Sequence, residues 1–306
     1  MIINPYAIDP EQVLSRKAGN LLQTLAALAG MTGLLSLVGW TLGGEEGVWW
    51  SLGVSLLVNL LAPGMAPSLT LRLAGARRID ASVWPDLHRM VAHLARRAHL
   101  KTIPQLYYLP TPIPNAMAVV AKGEAAVALS DGVLRRLNAH ELQAVLAHEI
   151  SHIKNEDTQV MALADAFRRL TLMLANLGQI LLVLLLPFAL AEGRSVLPLL
   201  LLLVTAPTLS ALLQLSISRT REFAADLDAA DLTGNPRALA SALRRIDSPS
   251  SRTLFDRLLF PLGHPKEPGW LRTHPETEER VRRLLELEQR HILVQRSGIW
   301  PVSTGF

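Results

Sequence analysis

The sequence contains no cysteine among its 306 residues. Disulfide bonds and thiolate metal ligands are therefore excluded, and any metal ion must be held by histidine and carboxylate side chains. Aromatic residues make up only 5% of the chain and charged residues only 18%, whereas half of all residues are hydrophobic. This composition is too apolar for an ordinary soluble domain, and it predicts a membrane protein with the lipid bilayer as a partner.

Nucleic acid is not an expected partner. The formal net charge is +4 at pH 7, and basic residues stand at the ends of apolar runs, where membrane proteins commonly carry them. The sequence also lacks the interleaved aromatic and basic residues of a nucleic-acid-binding module. We therefore attribute the positive charge to the flanks of membrane segments rather than to a surface for DNA or RNA.

Four uncharged apolar runs are each long enough to cross a bilayer, which takes about 20 residues of helix. They are residues 18–42, 48–71, 170–191 and 195–218. The runs form two pairs with basic residues at both outer ends, so the positive-inside rule places both ends of each hairpin in the cytoplasm. A cleaved signal peptide is disfavoured, because the first run is too long and a second follows at once. The alternative for the second pair is a buried helical hairpin of a soluble protein.

Between the two hairpins, residues 148–152 read His-Glu-Ile-Ser-His. Positions four apart lie on one face of a helix, so His148 and His152 can present two imidazoles to one metal ion. Glu149 lies about 100° around the helix from His148 and can reach a water molecule bound to that ion. This spacing is typical of a metalloprotease helix, in which the glutamate is the general base.

The sequence around this motif predicts a helix preceded by a small sheet. Asn138 can cap the helix with Glu141 as its reciprocal partner, and no proline or glycine interrupts the run as far as residue 157. Upstream, an amphipathic helix is predicted over residues 79–100. An edge strand of the sheet could hold an extended peptide beside the metal. Three β-like runs separated by turn residues predict the strands, at residues 105–109, 116–121 and 125–130.

Two histidines need a third protein ligand, because catalytic zinc takes three and leaves one position for water. Glu222 and Asp226 follow the second hairpin, and they share a face if the chain is helical there. Glu222 can complete the site, and Asp226 can accept the free ring N–H of a ligand histidine. Alone, Glu222 would be an ordinary surface charge. Its position, where the hairpin returns to the membrane face that the metal helix left, favours the ligand.

These motifs resemble the HtpX-type membrane zinc metalloproteases, which are relatives of the CAAX prenyl endopeptidases. The resemblance rests on the His-Glu-x-x-His helix, the membrane pair that follows it and the Arg-Glu-Phe-Ala-Ala-Asp segment at residues 221–226. It extends from the first apolar run to about residue 285. The resemblance implies a membrane-bound protease with zinc as its cofactor.

The resemblance also implies further site residues. Pro-Asn-Ala-Met-Ala at residues 114–118 is similar to a family strand whose asparagine holds the substrate backbone, which makes Asn115 the candidate. Met117 stands in the place of the family's aromatic residue and leaves the shape of the adjoining pocket open. A Thr-His-Pro segment resembles a signature whose histidine and arginine, here His274 and Arg280, stabilise the tetrahedral intermediate. The alternative for His274 is a residue that only starts a helix before a proline.

The predicted fold is mainly α with a small β-sheet, and it comprises four transmembrane helices plus a cytoplasmic gluzincin-type α+β zinc protease domain. Lys154, Glu156 and Asp157 follow the motif directly, and each charge at the bilayer centre costs about 2.5–3.5 kcal/mol. The metal helix is therefore expected at or beyond the cytoplasmic interface. The predicted segments are a cytoplasmic lead (1–17), hairpin one (18–71), the first part of the catalytic domain (72–169) with the metal helix (139–157), hairpin two (170–218) and the second part of the catalytic domain (219–306).

The predicted function is peptide-bond hydrolysis on the cytoplasmic side of the cell's inner (plasma) membrane, with one Zn²⁺ per chain and polypeptides as substrates. Glu149 would take the proton of the attacking water and pass it to the leaving amine. The resemblance implies the degradation of misfolded membrane proteins. A scaffold that binds zinc structurally is one alternative, although it has no need of Glu149. Specific processing of prenylated C-termini is another, although the membrane part here is much smaller than in those relatives.

Overall fold

The computed structural model describes residues 10–61, 71–72, 75–121, 123–191, 193, 195–247 and 277–297. The first half of the predicted lead, the end of the second apolar run, the segment with His274 and the C-terminal tail lie outside these residues. The described chain is mainly helical with one small mixed sheet. Its helices and strands are, in chain order, α1 (Pro10–Leu61), β1 (Arg77–Arg78), α2 (Pro85–Arg97), β2 (Gln105–Leu109), β3 (Ala116–Ala121), β4 (Glu124–Ser130), α3 (Asp131–Arg136), α4 (Ala139–Lys154), α5 (Asp157–Ala191), α6 (Leu197–Thr233), α7 (Pro236–Ile246) and α8 (Thr277–Ser297).

Among the described helices, three are long and apolar enough to cross a membrane: Ala18–Leu57 within α1, α5 and α6. They pack side by side, and small apolar clusters such as Ala27 with Ala164 and Ile217 join them. Many of their large side chains face outward, and Leu184, for example, is 64% exposed. Because an outer surface of this kind is stable in hydrocarbon and costly in water, it fits a membrane bundle and not a soluble hairpin.

Four separate transmembrane helices are not confirmed, because the described residues contain three candidate spans, and α1 holds both the first apolar run and the described part of the second, residues 48–61. This helix is not straight, however. Its backbone leaves helical geometry at Gly43 and Gly44, where φ is −144° and 62°. A Cβ atom added to Gly39 would lie 2.6 Å from the carbonyl oxygen of Gly47, although eight residues span about 12 Å along a straight helix. The chain therefore folds back at the two glycines.

The sheet has the strand order β1-β2-β4-β3. β4 runs parallel to β2 and antiparallel to β3, with Ala118 opposite Val127. β4 is the buried centre of the sheet, whereas β3 lies at the end of the described sheet beside α4. The three predicted strands are confirmed to within one residue. β1 is only two residues long and carries no pattern from which a strand could be predicted.

Helix α2 is shorter than the predicted helix over residues 79–100, because a turn precedes it. Asp80 accepts hydrogen bonds from the backbone and the hydroxyl group of Ser82. Pro85 then takes the first helical position, where its missing N–H costs no helical hydrogen bond. The main hydrophobic core joins α2, the sheet, α4 and α7, and its fully buried members include Leu94, Leu106, Val127, Leu146, Ile150 and Leu239.

Helix α4 begins where the sequence predicts and ends sooner. Asn138 accepts a hydrogen bond from the Glu141 backbone at 3.0 Å, and the Glu141 carboxylate accepts one from the Asn138 backbone at 3.0 Å, which is the predicted capping box. The helix ends at Lys154 rather than at residue 157, because Glu156 adopts a φ of 53°, a left-handed conformation that is uncommon outside glycine. A new helix, α5, begins at Asp157.

Helix α6 connects the membrane bundle to the protease domain without a break. It begins in the fourth apolar run and continues to Thr233, so that its C-terminal part packs against α4. Gly234, with a φ of 65°, ends the helix, and the Asn235 side chain caps α7, which has Pro236 at its first position. The chain therefore breaks between α6 and α7 at this Gly-Asn-Pro sequence.

Candidate metal centre

The structure brings the three predicted metal ligands together between α4 and α6. The Nε2 atoms of His148 and His152 lie 3.1 Å apart. The Glu222 carboxylate faces both rings, with its oxygens 3.5 Å from the Nε2 atom of His148 and 3.8 Å from that of His152. One ligand atom from each of these residues lies within 4.8 Å of the other two.

These separations fit a divalent metal ion. Two donors bound at about 2.1 Å to one tetrahedral ion lie about 3.4 Å apart. Two imidazoles and one carboxylate are a known ligand set of catalytic zinc, which keeps its fourth position for water. The donor set and the distances are therefore compatible with zinc.

Small side chains on α4 and α6 let the two helices approach closely. His148 and His152 lie one turn apart on α4, with ring centroids 4.7 Å apart and ring planes at 88°. Ala147 of α4 and Ala229 of α6 are both buried in the core cluster that joins the two helices. Because the distance between helices depends on the side chains at their contact, larger residues here would move Glu222 away from the rings.

Asp226, one helical turn after Glu222, lies beside the first histidine. Its Oδ1 atom is 3.1 Å from the Nδ1 atom of His148, so the ring N–H can donate to Asp226 and leave Nε2 for a metal. Arg280 of α8 donates to Asp226 at 2.7 and 2.6 Å and lies 2.9 Å from Glu222. Arg280 is therefore buried within the site, against two of its carboxylates.

A second aspartate, which the sequence analysis did not assign to the site, lies beside the other histidine. The Oδ2 atom of Asp157 is 2.7 Å from the Nδ1 atom of His152. Arg221, the residue before Glu222, donates to the other oxygen of Asp157 and, at 3.2 Å, to the backbone carbonyl of Asn155. On an unbroken helix, Asp157 would not lie on the same face as His152. The spacing between His152 and Asp157 in the sequence therefore does not predict their contact.

The surroundings of His148 favour positive charge. Burial alone lowers the pKa of this imidazole, but the hydrogen bonds to Asp226 and Glu222 outweigh it and raise the pKa to about 10, while Arg280 opposes them. Groups that hold a proton this firmly also favour a metal cation. The proton must leave before the ring can bind the metal, because only neutral histidine is a ligand.

Known proteins are similar to this chain over most of its length. The family model described as "Peptidase family M48" matches residues 82–288 of the chain. The chain belongs to peptidase family M48. The M48 region includes the metal helix, the second membrane pair, Glu222 and Arg280, so the family assignment covers the whole described site.

The relatives of this M48 chain match it over nearly their whole length. A "Protease HtpX homolog" of Nostoc sp. is 37% identical over 291 residues, which cover 89% of this chain and 98% of the relative. Another, of Pyrococcus furiosus, is 34% identical over 280 residues, which cover 85% of this chain and 93% of the relative. The predicted HtpX-type relationship is therefore confirmed, and the protein is a membrane metalloprotease that acts on polypeptides.

A solved structure is also similar to this M48 chain. The crystal structure of S. mikatae Ste24p matches 89% of this chain and 67% of its own, with a TM-score of 0.47 and 17% sequence identity.

Two other predicted site residues lie on elements next to the metal ligands. Glu149 follows His148 on α4 and is buried. Asn115 is exposed directly before β3, where its N–H donates to the Ser130 hydroxyl at 2.7 Å and its carbonyl accepts from the Ser130 N–H at 2.9 Å. These bonds fix the Asn115 backbone at the start of the strand that lies beside α4. His274 lies outside the described residues.

Proposed function

We propose that this membrane metalloprotease is a zinc endopeptidase that hydrolyses peptide bonds on the cytoplasmic side of the membrane. The observation that carries the proposal is the convergence of His148, His152 and Glu222, with their ligand atoms close enough to share one ion. Two imidazoles favour zinc over hard cations such as Mg²⁺ or Ca²⁺, which take oxygen ligands.

Glu149 is proposed as the general base and acid of the reaction. When bound, zinc lowers the pKa of a water molecule and polarises the scissile carbonyl. Glu149 accepts the proton of the attacking water and delivers it to the leaving amine. Its position next to His148, on the helix that carries both proposed histidine ligands, supports this role.

Strand β3 is proposed to hold the substrate. A strand at the end of a sheet can pair with an extended peptide through its backbone groups, and β3 lies beside the metal helix α4. Asn115, at the start of β3, is the candidate that holds the substrate backbone. His274 and Arg280 are proposed to supply positive charge where the oxyanion develops. Arg280 lies among the metal-site carboxylates, which supports this role.

The proposed topology has four membrane crossings in the inner (plasma) membrane, with the N-terminus and the protease domain in the cytoplasm. Two features support it. The chain folds back within α1, and the tryptophans around this turn, Trp40, Trp49 and Trp50, are 57%, 74% and 72% exposed, as expected of side chains at a membrane interface. At the other end of the bundle, arginines follow the fourth apolar run, where the positive-inside rule expects the cytoplasm.

Misfolded membrane proteins are the proposed substrates, and quality control of the membrane is the proposed role. This proposal rests on analogy within the family. The position of the metal directly after a membrane helix supports it, because membrane-anchored polypeptides would pass close to the site.

The function can be tested on the full-length protein in detergent micelles, by zinc analysis and by casein cleavage. We expect wild type and Glu149→Gln both to contain zinc and only wild type to cleave. The matched control is Glu156→Gln, which changes an exposed glutamate seven residues further on and should cleave as wild type does. A wild-type protein that contained zinc and cleaved nothing would instead be a scaffold. Cleavage by Glu149→Gln at the wild-type rate would exclude the proposed role of Glu149.

A further inference from the structure

We propose that Asp157 and Arg221 form a positioning pair that sets the tautomer and the orientation of His152 for metal binding. The inference rests on the proposed function, in which His148, His152 and Glu222 hold zinc. It adds two residues that neither touch the metal nor belong to the His-Glu-x-x-His motif. Their action would be exerted entirely through His152.

The hydrogen bond between Asp157 and His152 selects one tautomer. The Oδ2 atom of Asp157 lies 2.7 Å from the Nδ1 atom of His152, and an ionised carboxylate can only accept. Nδ1 therefore carries the hydrogen and donates it, which leaves the Nε2 lone pair for the metal. The Nε2 atom faces the other ligands, at 3.1 Å from the Nε2 atom of His148 and 3.8 Å from Glu222.

Arg221 holds the Asp157 carboxylate in place. The Asp157 side chain is only 5% exposed, and a buried carboxylate is stable only when it is paired. One of its oxygens bonds to His152, and the other accepts from the Arg221 guanidinium. Arg221 also donates to the carbonyl of Asn155 at 3.2 Å, so it fixes both the side chain and the turn that precedes it.

The other histidine ligand has a similar arrangement, which supports a shared purpose. The Nδ1 atom of His148 faces Asp226, and Asp226 in turn is held by two hydrogen bonds from Arg280. Each histidine thus has its own aspartate, and each aspartate has its own arginine. The arginines come from different helices, α6 and α8, so one pair can be removed while the other stays in place.

The position of the pair also links the metal ligand to the membrane hairpin. Asp157 is the first residue of α5, and Arg221 lies on α6 just after its uncharged run. Both helices continue into the bilayer bundle, where they pack against each other. A shift of one membrane helix against the other would therefore move the carboxylate that orients His152.

The test measures metal affinity and ligand geometry in the full-length protein in detergent micelles. We expect Asp157→Ala to lower zinc affinity 10–100-fold, the loss typical for partners of metal ligands, in competition with a chelator. Asp157→Asn keeps the shape and loses the charge, so it should lie between the alanine variant and wild type. Arg221→Gln should weaken affinity less than Asp157→Ala, because it acts one contact further away, and Arg221→Lys should recover part of the loss.

Cobalt(II) bound in place of zinc gives a second measurement, which would not change if Asp157 only stabilised the fold. Its visible absorption depends on ligand geometry, so the spectrum of Asp157→Asn should differ from that of wild type. The matched control is Asp228→Asn, because the Asp228 side chain is similarly buried, at 3%, and bonds to Asn155 and Lys154 of the same turn. This control should keep the wild-type zinc affinity and cobalt spectrum, even if its melting temperature falls.

The outcomes separate this inference from the proposed function. Wild-type zinc affinity and cobalt spectrum in both Asp157 variants, together with metal loss in Glu222→Ala, would overturn the positioning pair and leave the zinc site standing. Equal effects of the Asp157 and Asp228 variants on affinity and spectrum would also overturn it, because burial alone would then be the cause. Retention of the metal by Glu222→Ala would instead refute the proposed ligand set.

Discussion

The two halves of helix α6 show opposite patterns of burial. In the apolar half, large hydrophobic side chains face outward, and Leu201 and Val204 are 61% and 56% exposed. In the other half, the acidic residues Glu222, Asp226 and Asp228 are all at most 7% exposed. The backbone is one continuous helix, so only the surroundings change, from hydrocarbon to a protein interior with many charged groups.

The comparison shows that a buried charge is stable where it has hydrogen-bonding or ionic partners, so its burial alone does not decide its stability. Asp226 has Arg280 and His148, and Asp228 has Asn155 and Lys154. The lipid-facing surface offers no such partners, because hydrocarbon can neither donate nor accept a hydrogen bond. The four predictions below remove a charge from the site, add one to the membrane half, or titrate one within the site.

The largest expected effect comes from Glu149→Gln, which removes the base and preserves its shape. We expect kcat/KM to fall about 10²–10⁴-fold, the usual contribution of general acid–base catalysis. The metal content should be unchanged, because Glu149 is proposed as the base and not as a metal ligand. Peptide cleavage and zinc analysis of the same preparation measure both quantities, and a loss of zinc would assign Glu149 to the metal instead.

Arg280→Gln should reduce stability most, because it leaves Asp226 as a buried carboxylate without its cationic partner. Breaking a buried ion pair in this way costs about 3–5 kcal/mol. Arg282→Gln is the matched control on the same helix, since Arg282 is 64% exposed and pairs with Glu279 at the surface, where such pairs contribute at most about 1 kcal/mol. Thermal denaturation in detergent compares the two variants. Equal losses of stability would contradict the idea that a buried charge depends on its partner.

Leu184→Asp places a charge where the membrane half offers no partner. Leu184 lies in α5 and is 64% exposed, so its side chain faces lipid. We expect membrane insertion to become less favourable by about 2.5–3.5 kcal/mol. Leu184→Ala should change stability by less than about 0.5 kcal/mol, as expected of an exposed position. Membrane fractionation and protease accessibility distinguish the variants, and normal insertion of Leu184→Asp would show that this face does not contact lipid.

The last prediction, whose effect per pH unit is the smallest of the four, is the pH dependence of the metal-free protein. Folding raises the pKa of His148 from 6.5 to about 10, against the effect of burial, because Asp226 and Glu222 outweigh Arg280. The proton on His148 of the folded protein therefore stabilises the fold. This stabilisation is complete below pH 6.5 and is lost as the pH rises through about 10. The slope between these values is at most about 1.4 kcal/mol per pH unit.

Melting temperatures of the chelator-treated protein from pH 6.5 to 9 measure this slope. They should fall for wild type and change less for His148→Gln. The apparent zinc affinity should rise over the same range, because the metal displaces the proton. A melting temperature that rose with pH in wild type and not in the variant would contradict the raised pKa.

The parts of the site that follow from helical periodicity could be predicted from the sequence. Residues four apart share a face, which is enough to bring His148 and His152 together and to place Asp226 beside Glu222 on α6. The strands next to the metal helix could also be predicted, because β-branched and apolar runs alternate there with turn residues.

The contact of Asp157 with His152 could not be predicted, because it depends on the break between α4 and α5, which the residue types do not indicate. Glu156 adopts a left-handed conformation that favours glycine, and α5 starts immediately after it. The contact between Asp157 and His152 forms only because of this turn, and Arg221 reaches it from a helix 64 residues further along the chain. Tertiary contacts, rather than a local pattern, stabilise this turn.

The unbroken course of α6 sets the distance between the proposed metal site and the apolar half of the same helix. The uncharged run ends at Ser218, and Glu222 follows four residues later, which is about 6 Å along the helix axis. A helix cannot lengthen, so the proposed metal site stays about one turn from the end of the uncharged run. A bilayer-anchored polypeptide would therefore be cut within its first residues outside the lipid, and distance from the membrane would select the cleaved bond alongside sequence.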